Sequence, residues 1–347
     1  MKSKQPVSFP SSNRGELALL RQIRSRVAQA PGGGLRLGIG DDCALIRLRP
    51  REELAVTTDL SIAGRHFRLD WHPPESVGHR ALARGLSDLA AMGARPVAAF
   101  LSLGLPAELT LASGRKQSWI ARFYNGLLAL ANSHRTPLAG GDLAESPVPM
   151  ADILLLGAVP RGKALLRSTA QPGDLLYVTG TLGGSAAGLA HLAGLATSTT
   201  QRANQQPPKI PQKLAPQLAA HLYPQPRVSQ GLLLRRRGLA TAAIDISDGL
   251  STDLAHLCDE SVVAAEIDSA RLPIHPGASQ WQALHGGEDY ELLFTAPEFI
   301  RMPRSIAGVP ITCIGRIVRP RRGHPRITLL TAQGSKPLVP RGWEHFD

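Results

Sequence analysis

Apolar positions recur at helical spacing in some stretches of the chain and bunch into short runs in others. A long helix is predicted over "ESVGHRALARGLSDLAAMGA", opened by Pro73 and Pro74. Val77, Ala81, Leu82, Leu86, Leu89 and Met92 fall on one stripe of it. A first helix is expected after the capping residues Ser12 and Asn13, running to about Ala30, where "PGGG" at 31–34 stops it. Another is expected near 109–134. "ALIRL", "LAVTTDL", "PVAAFLSLGL" and "ADILLLGAV" read as strands, and "TPLAGGD" as a strand entering a glycine turn. In the second half, strands are expected at 174–180, 241–246, 262–267, 290–295 and 310–318, with helices between. This alternation gives an α/β fold class, with α+β layers. The texture changes near 150–165. We divide the chain into a disordered tail (1–14), an N-terminal domain (15–155) and a C-terminal domain (156–347). Residues 196–226, rich in Gln, Pro, Thr and Ala, read as a mobile surface insertion.

Composition narrows the function. The 347 residues carry a net charge of +12, most of the 39 basic residues being Arg. A basic balance admits nucleic-acid binding. However, the charge is spread out, and the dense runs Arg235–Arg237 and Arg319–Arg322 are not interleaved with aromatics. Steering of anionic substrates is the simpler reading. Cys43, Cys258 and Cys313 lie far apart, with no CxxC pair, so neither a zinc site nor a disulfide framework is expected. No apolar run approaches the ~20 residues of a membrane span. The N-terminus lacks the apolar core of a signal peptide. A cytoplasmic protein is expected.

The chemistry lies in carboxylates set beside glycines or hydroxyls. Asp41 and Asp42 lie in "GIGDD", Asp59 in "TTDLS", Asp88 in "LSDLAAMG" and Asp142 in "AGGDLAES". Asp245, Asp248 and Asp253 lie in "AIDISDGLSTD", and Glu288 and Asp289 in "GGEDYE". Singly, each has a plain structural explanation: Asp59 could shape a turn, and Asp248 could cap the helix after Gly249. Asp88 fits such explanations poorly, since it sits mid-helix near the apolar stripe and needs a partner or a metal. Together they suit Mg²⁺, a hard cation that takes oxygen ligands and leaves positions for phosphate and water. "GAVPRGKA" at 157–164 imitates a P-loop, but Ala164 replaces the Mg²⁺-binding hydroxyl and Pro160 removes an N–H. No H-R-D, D-F-G or G-x-S-x-G set is present.

"GIGDDCALI", "TTDLSIAGRHF", "HRALARGLSDLAAMGARP", "GGD", "RSTAQPGDLLYVTG", "AIDISDGLSTDL", "GGEDYELLF" and "GWEHF" stand in the order of the thiamine-monophosphate kinase family, which the chain resembles from about residue 15 to 346. That family belongs to the superfamily of aminoimidazole ribonucleotide synthetase. The resemblance implies two α/β domains, with a homodimer formed through the N-terminal sheet. It implies transfer of the ATP γ-phosphoryl group to thiamine monophosphate, assisted by several Mg²⁺ ions. The implied metal ligands are Asp42, Thr58, Asp59, Asp88, Asp142, Asp245 and Asp248, with Thr57 as a further candidate. ATP would meet Gly141, Asp142, Arg167 and Ser247. The substrate would meet His66, Glu288 and Trp343. No partner nucleic acid or membrane is implied. Relatives with other chemistries fit less well. The amidocyclase's lysine-bearing glycine loop is not found. The lysine expected beside the reactive residue of selenophosphate-forming relatives is not found beside Cys43. The chain ends "EHFD" rather than in the Cys of hydrogenase-maturation relatives.

Overall fold

The computed structural model describes residues 16–27, 34–112, 117–199 and 216–343. The proposed tail at 1–14 lies outside them. Along the chain run α1 (Glu16–Val27), β1 (Leu35–Leu37), β2 (Leu45–Ile46), β3 (Glu52–Ile62), α2 (Pro74–Ala91), β4 (Arg95–Leu105), α3 (Trp119–Ser133), β5 (Leu138–Glu145) and β6 (Met150–Pro160). Then come β7 (Leu175–Thr179), α4 (Gly184–Thr199), α5 (Pro216–Leu222), α6 (Val228–Arg236), β8 (Ala242–Ile246), α7 (Leu250–Glu260), β9 (Ala264–Asp268) and α8 (Gln280–His285). The chain closes with β10 (Glu291–Ala296), β11 (Ser305–Ile306), β12 (Val309–Val318), β13 (Ile327–Thr331) and β14 (Gly334–Pro337).

The N-terminal sheet has the order β3-β6-β4-β5, and the C-terminal sheet β14-β13-β9-β12-β7-β10-β8, with β11 paired to β12. Among the described strands only the β4–β5 and β9–β13 pairs are parallel. The layers are therefore mostly antiparallel α+β. β6 runs to Pro160, so the break between layers falls after it rather than at 155.

Helix α2 lies between the two sheets, against β3, β4 and β6 on one side and β8 and β10 on the other. Pro74 starts it at a position where a missing N–H costs nothing. The stripe read from the sequence is its core: Val77, Ala81, Leu82, Leu86 and Leu89 are buried. α3 crosses so closely that a Cβ on Gly78 would stand 2.0 Å from the Phe123 carbonyl oxygen. One core cluster joins these α2 residues to Ala243, Leu292 and Phe294 of the other layer, so the domains share a seam.

The other face of the N-terminal sheet is only partly covered. Leu35 and Ile46 of the β1–β2 ribbon pack with Val97, Ala98, Ala139 and Ala158. Leu54, Val56 and Leu60, alternate residues of β3, remain 48%, 56% and 45% exposed.

Two expectations need correction. "LAGGD" is not a turn, because β5 continues through it to Glu145. Gly141 allows this at φ 145°, where a Cβ would stand 1.9 Å from the Leu101 carbonyl oxygen. The segment 196–226 is not wholly a mobile insertion either. Residues 216–226 are built in: α5 packs on α4, and Leu218, His221 and Leu222 are buried. Composition misled because three apolar or aromatic anchors suffice for a seven-residue helix amid Gln and Pro. Residues 200–215 lie outside the described set. No helix among the described residues is long and apolar enough to cross a membrane.

Candidate active site

Helix α2 carries Arg80, Arg84 and Asp88 at successive i, i+4 steps, which puts them along one face. Each reaches a different element. Arg80 Nη2 donates to Glu288 Oε1 at 2.6 Å. Arg84 Nη2 lies 3.3 Å from Asp59 Oδ1 on β3. Asp88 accepts a hydrogen bond from the Thr57 hydroxyl. The neighbouring Ser87 hydroxyl donates to Asp245 Oδ2 on β8 at 2.7 Å. The helix thereby gathers three acids, Asp59, Asp88 and Asp245, into the seam.

Their electrostatics are adverse. Burial pushes the Asp59 pKa up to about 6, and the negative charge of Asp88 adds to this against the opposing pull of Arg84. Burial likewise raises Asp88, with Asp245 as the next contribution. Asp245 is raised by burial, and Asp59 adds to that. Acids that are desolvated and set against one another bind a proton or a cation. Among the described residues no three acidic, His or Cys side chains converge tightly enough to hold an ion alone. The donor set fits Mg²⁺, which keeps positions for water and phosphate oxygens, and does not fit an all-protein cage.

Across the pocket, the 247–253 loop is held from within. Asp253 Oδ2 accepts the backbone N–H groups of Ser247, Asp248 and Gly249 at 3.0–3.1 Å. Gly249, not Asp248, occupies the cap position of α7, which leaves the Asp248 carboxylate out of that role. The Glu288 N–H donates to the Ser247 carbonyl at 2.7 Å, and Glu288 itself sits at φ 64°. Burial alone would raise the Glu288 pKa; Arg80, by charge and hydrogen bond, outweighs it and holds the carboxyl below its usual range. The C-terminal segment docks on the same loop: Trp343 N–H donates to the Asp248 carbonyl at 3.1 Å, and Gly342 N–H to Thr252 Oγ1 at 3.0 Å. His66 Nδ1 accepts from the Ile62 N–H at 3.1 Å.

These elements enclose a cavity of about 500 Å³ that Asp59, His66, Ser247, Asp248, Glu288 and Trp343 all line. Six of the residues expected to bind metal, nucleotide or substrate thus share one pocket. Asp42, Gly141 and Asp142 do not join it. They line a separate cavity of about 450 Å³ beside edge strand β5, and both of these acids are exposed. The sheet register separates the groups: Asp59 lies opposite Ile153, Ile153 opposite Leu101, and Leu101 opposite Gly141. Three strand spacings make about 14 Å. Arg167 is exposed and lines neither cavity, yet its charge lowers the pKa of both Asp88 and Asp245. The Thr58 side chain is turned away from the trio. Its hydroxyl donates to Asp152 Oδ1 at 2.8 Å, whereas Thr57 and Asp59 meet α2. Strand alternation requires this split.

Sequence reasoning missed several members. Arg80 and Arg84 were detectable from their spacing to Asp88. Ser87 and Asp253 had no separate signal. His221 pairs with Arg80 and His72 from within a segment read as insertion, and Trp71 lines the cavity beneath Arg68.

Two family models match, "AIR synthase related protein, N-terminal domain" over 40–159 and the corresponding C-terminal domain over 171–302. The thiamine-monophosphate kinase of Escherichia coli K12 is 40% identical over 96% of this chain and 98% of its own length. The chain belongs to the thiamine-monophosphate kinase family. The Bacillus subtilis member of that family is 34% identical over 89% of this chain and 92% of its own. The crystal structure of the thiamine-monophosphate kinase from Stenotrophomonas maltophilia K279a superposes with a TM-score of 0.75 at 37% identity, covering 90% of this chain and 95% of that one. The structure of AaThiL complexed with AMPPCP and TMP gives 0.71 at 28% identity, covering 98% and 100%. Hydrogenase maturation protein HypE in complex with ATP shares the fold alone, at 18% identity and a TM-score of 0.70.

Proposed function

We propose that this thiamine-monophosphate kinase family member transfers the γ-phosphoryl group of ATP to thiamine monophosphate, giving thiamine diphosphate. The observation that carries the reading is a single pocket lined both by Asp59, one of the three acids gathered at the seam, and by Glu288, His66, Trp71 and Trp343. The Trp343 face suits a cationic thiazolium ring, and Glu288, kept ionised by Arg80, adds a fixed negative charge for it.

Asp59, Asp88 and Asp245, with the Thr57 hydroxyl, would hold Mg²⁺, and Asp248 stands ready across the loop. Bound Mg²⁺ would supply neutralisation of the phosphate charges that otherwise keep donor and acceptor apart. Arg84 holds Asp59 in place. Ser87 orients Asp245. Ser247 lines the pocket, and Arg167, whose charge reaches Asp88 and Asp245, would meet a nucleotide's phosphates from outside it. The acceptor is a phosphate monoester whose second pKa is about 6, so its oxygen is already ionised at neutral pH. No side chain has to remove a proton. The protein's task is in-line positioning.

Asp42, Gly141 and Asp142 belong to this reading through a homodimer. The exposed Leu54, Val56 and Leu60 face supports this reading, as a surface that a second copy would cover. Bringing edge β5 of one copy beside β3 of the other would set the Asp42 and Asp142 of one against the Asp59 and Asp88 of its mate. The three free cysteines suit a reducing, cytoplasmic setting.

Purified protein incubated with ATP, Mg²⁺ and thiamine monophosphate should form thiamine diphosphate. ATP hydrolysis without that product at saturating Mg²⁺ would overturn the reading.

A further inference from the structure

Away from the acid seam, a groove of about 770 Å³ opens where the N-terminal end of β4 meets α6. Arg36, Arg47, Arg49, Arg95, Arg135 and Arg236 line it, and no Asp or Glu does. Elsewhere some arginines are paired, as Arg68 is with Asp70, Arg84 with Asp59 and Arg227 with Glu291, and others, such as Arg161, Arg237 and Arg301, stand exposed without an ion pair among the described residues but do not gather around one concavity. In the groove, Arg95 pairs with Glu52. Arg36, Arg47, Arg49, Arg135 and Arg236 make no ion pair among the described residues, although the Glu52 carboxylate that Arg95 holds also attracts Arg49, and all five are exposed. Five unpaired guanidinium groups around one concavity repel one another and make a strong positive field. A guanidinium fork matches two phosphate oxygens at once.

Three features define the ligand. The field is concentrated in one concave site of the size that small ligands occupy. Its lining contains no Phe, Tyr or Trp, so it offers no platform for stacking the bases of a single strand. The floor is partly apolar, through Leu48, Pro96 and Leu232, so a compact anion would be partly desolvated there. The groove is also separate from the acid site. Arg95 stands six positions along β4 from Leu101, which lies in the sheet row of Asp59; that is about 20 Å.

We propose that this groove is a second anion site, binding a small molecule with two or more linked phosphate groups.

The test uses the full chain in EDTA at low salt, because without metal the acid seam repels anions. Inorganic tripolyphosphate is titrated calorimetrically, and ATP in a parallel arm separates a nucleotide from a bare polyphosphate. We expect saturable binding of tripolyphosphate. We expect a Kd at least about tenfold weaker in the Arg47→Ala/Arg236→Ala variant, the size expected for losing two charge-assisted contacts. Arg301→Ala, an exposed arginine outside the groove, should bind as wild type. The groove variant should keep the kinase turnover of the parent. Arg36→Gln/Arg49→Gln is a second pair, expected to give the same loss if the first variant melts early. Wild-type protein that fails to bind tripolyphosphate, or groove variants that bind it undiminished, would overturn the proposal. So would binding of an RNA 12-mer with no binding of tripolyphosphate.

Discussion

The two groups of acids differ in how the chain treats them. Asp59, Asp88 and Asp245 are withdrawn from water at a seam between sheets, and each is steadied by a neighbour: Arg84, Thr57 or Ser87. Asp42 and Asp142 stand exposed beside an edge strand, and each side chain caps only local backbone or none. The first group is held by its own fold. The second has no comparable support among the described residues. Similar motifs in a sequence can therefore end in very different surroundings.

The largest effect should come from the buried group. Asp88→Asn should lower turnover by about a thousandfold, corresponding to about 4 kcal/mol of lost charge stabilisation. The metal-free variant should melt no lower than wild type, because the substitution removes repulsion from Asp245. Turnover within a few-fold of wild type would remove Asp88 from the machinery; a collapse in melting temperature would make its role structural.

Mixing two inactive variants probes the exposed group. If sites form between copies, Asp88→Asn and Asp142→Asn proteins co-refolded together should recover about a quarter of wild-type activity, since half the dimers are mixed and each has one intact site. If all ligands come from one copy, the mixture stays inactive.

The smallest effect concerns pH. Asp59 titrates near 6 in the folded chain, against about 4 when unfolded. Its folded pKa is raised, so the folded state holds the proton more tightly. Its own contribution to stability is then greatest below pH 4 and falls as pH rises, by at most about 2–3 kcal/mol, until the loss is complete above 6. Denaturant melts in EDTA should show that decline between pH 4 and 7 as the difference between wild type and Asp59→Asn, and Mg²⁺ should reverse it at the upper end. A difference that is flat or opposite in sign across that window would contradict the account of the seam.

Much of this was readable in advance. Acids beside glycines and hydroxyls announced a polar site because such residues do not stabilise helices or strands for their own sake. The α2 stripe was readable because its period survives burial on both sides. The opposite directions of Thr57 and Thr58 follow from strand alternation once β3 is recognised, although the motif "TTD" presents them as equals. The Arg80–Glu288 pair was not readable, since 208 positions separate the partners and only the folded seam joins them. Nor was the place of His221, whose surroundings in sequence are those of a loop.

Helix α2 has one more consequence. Arg80 holds Glu288 and Asp88 meets Thr57, and eight helical residues fix the distance between these two positions at about 12 Å. Close packing at Gly78 prevents the rod from sliding against α3. The helix therefore works as a gauge block: it sets the spacing between Glu288 and the acids, and under the proposed function that spacing is the reach required of a substrate. A relative that accepted a shorter or longer phosphate ester would have to change the loops around the gauge, since the gauge itself has no adjustable length.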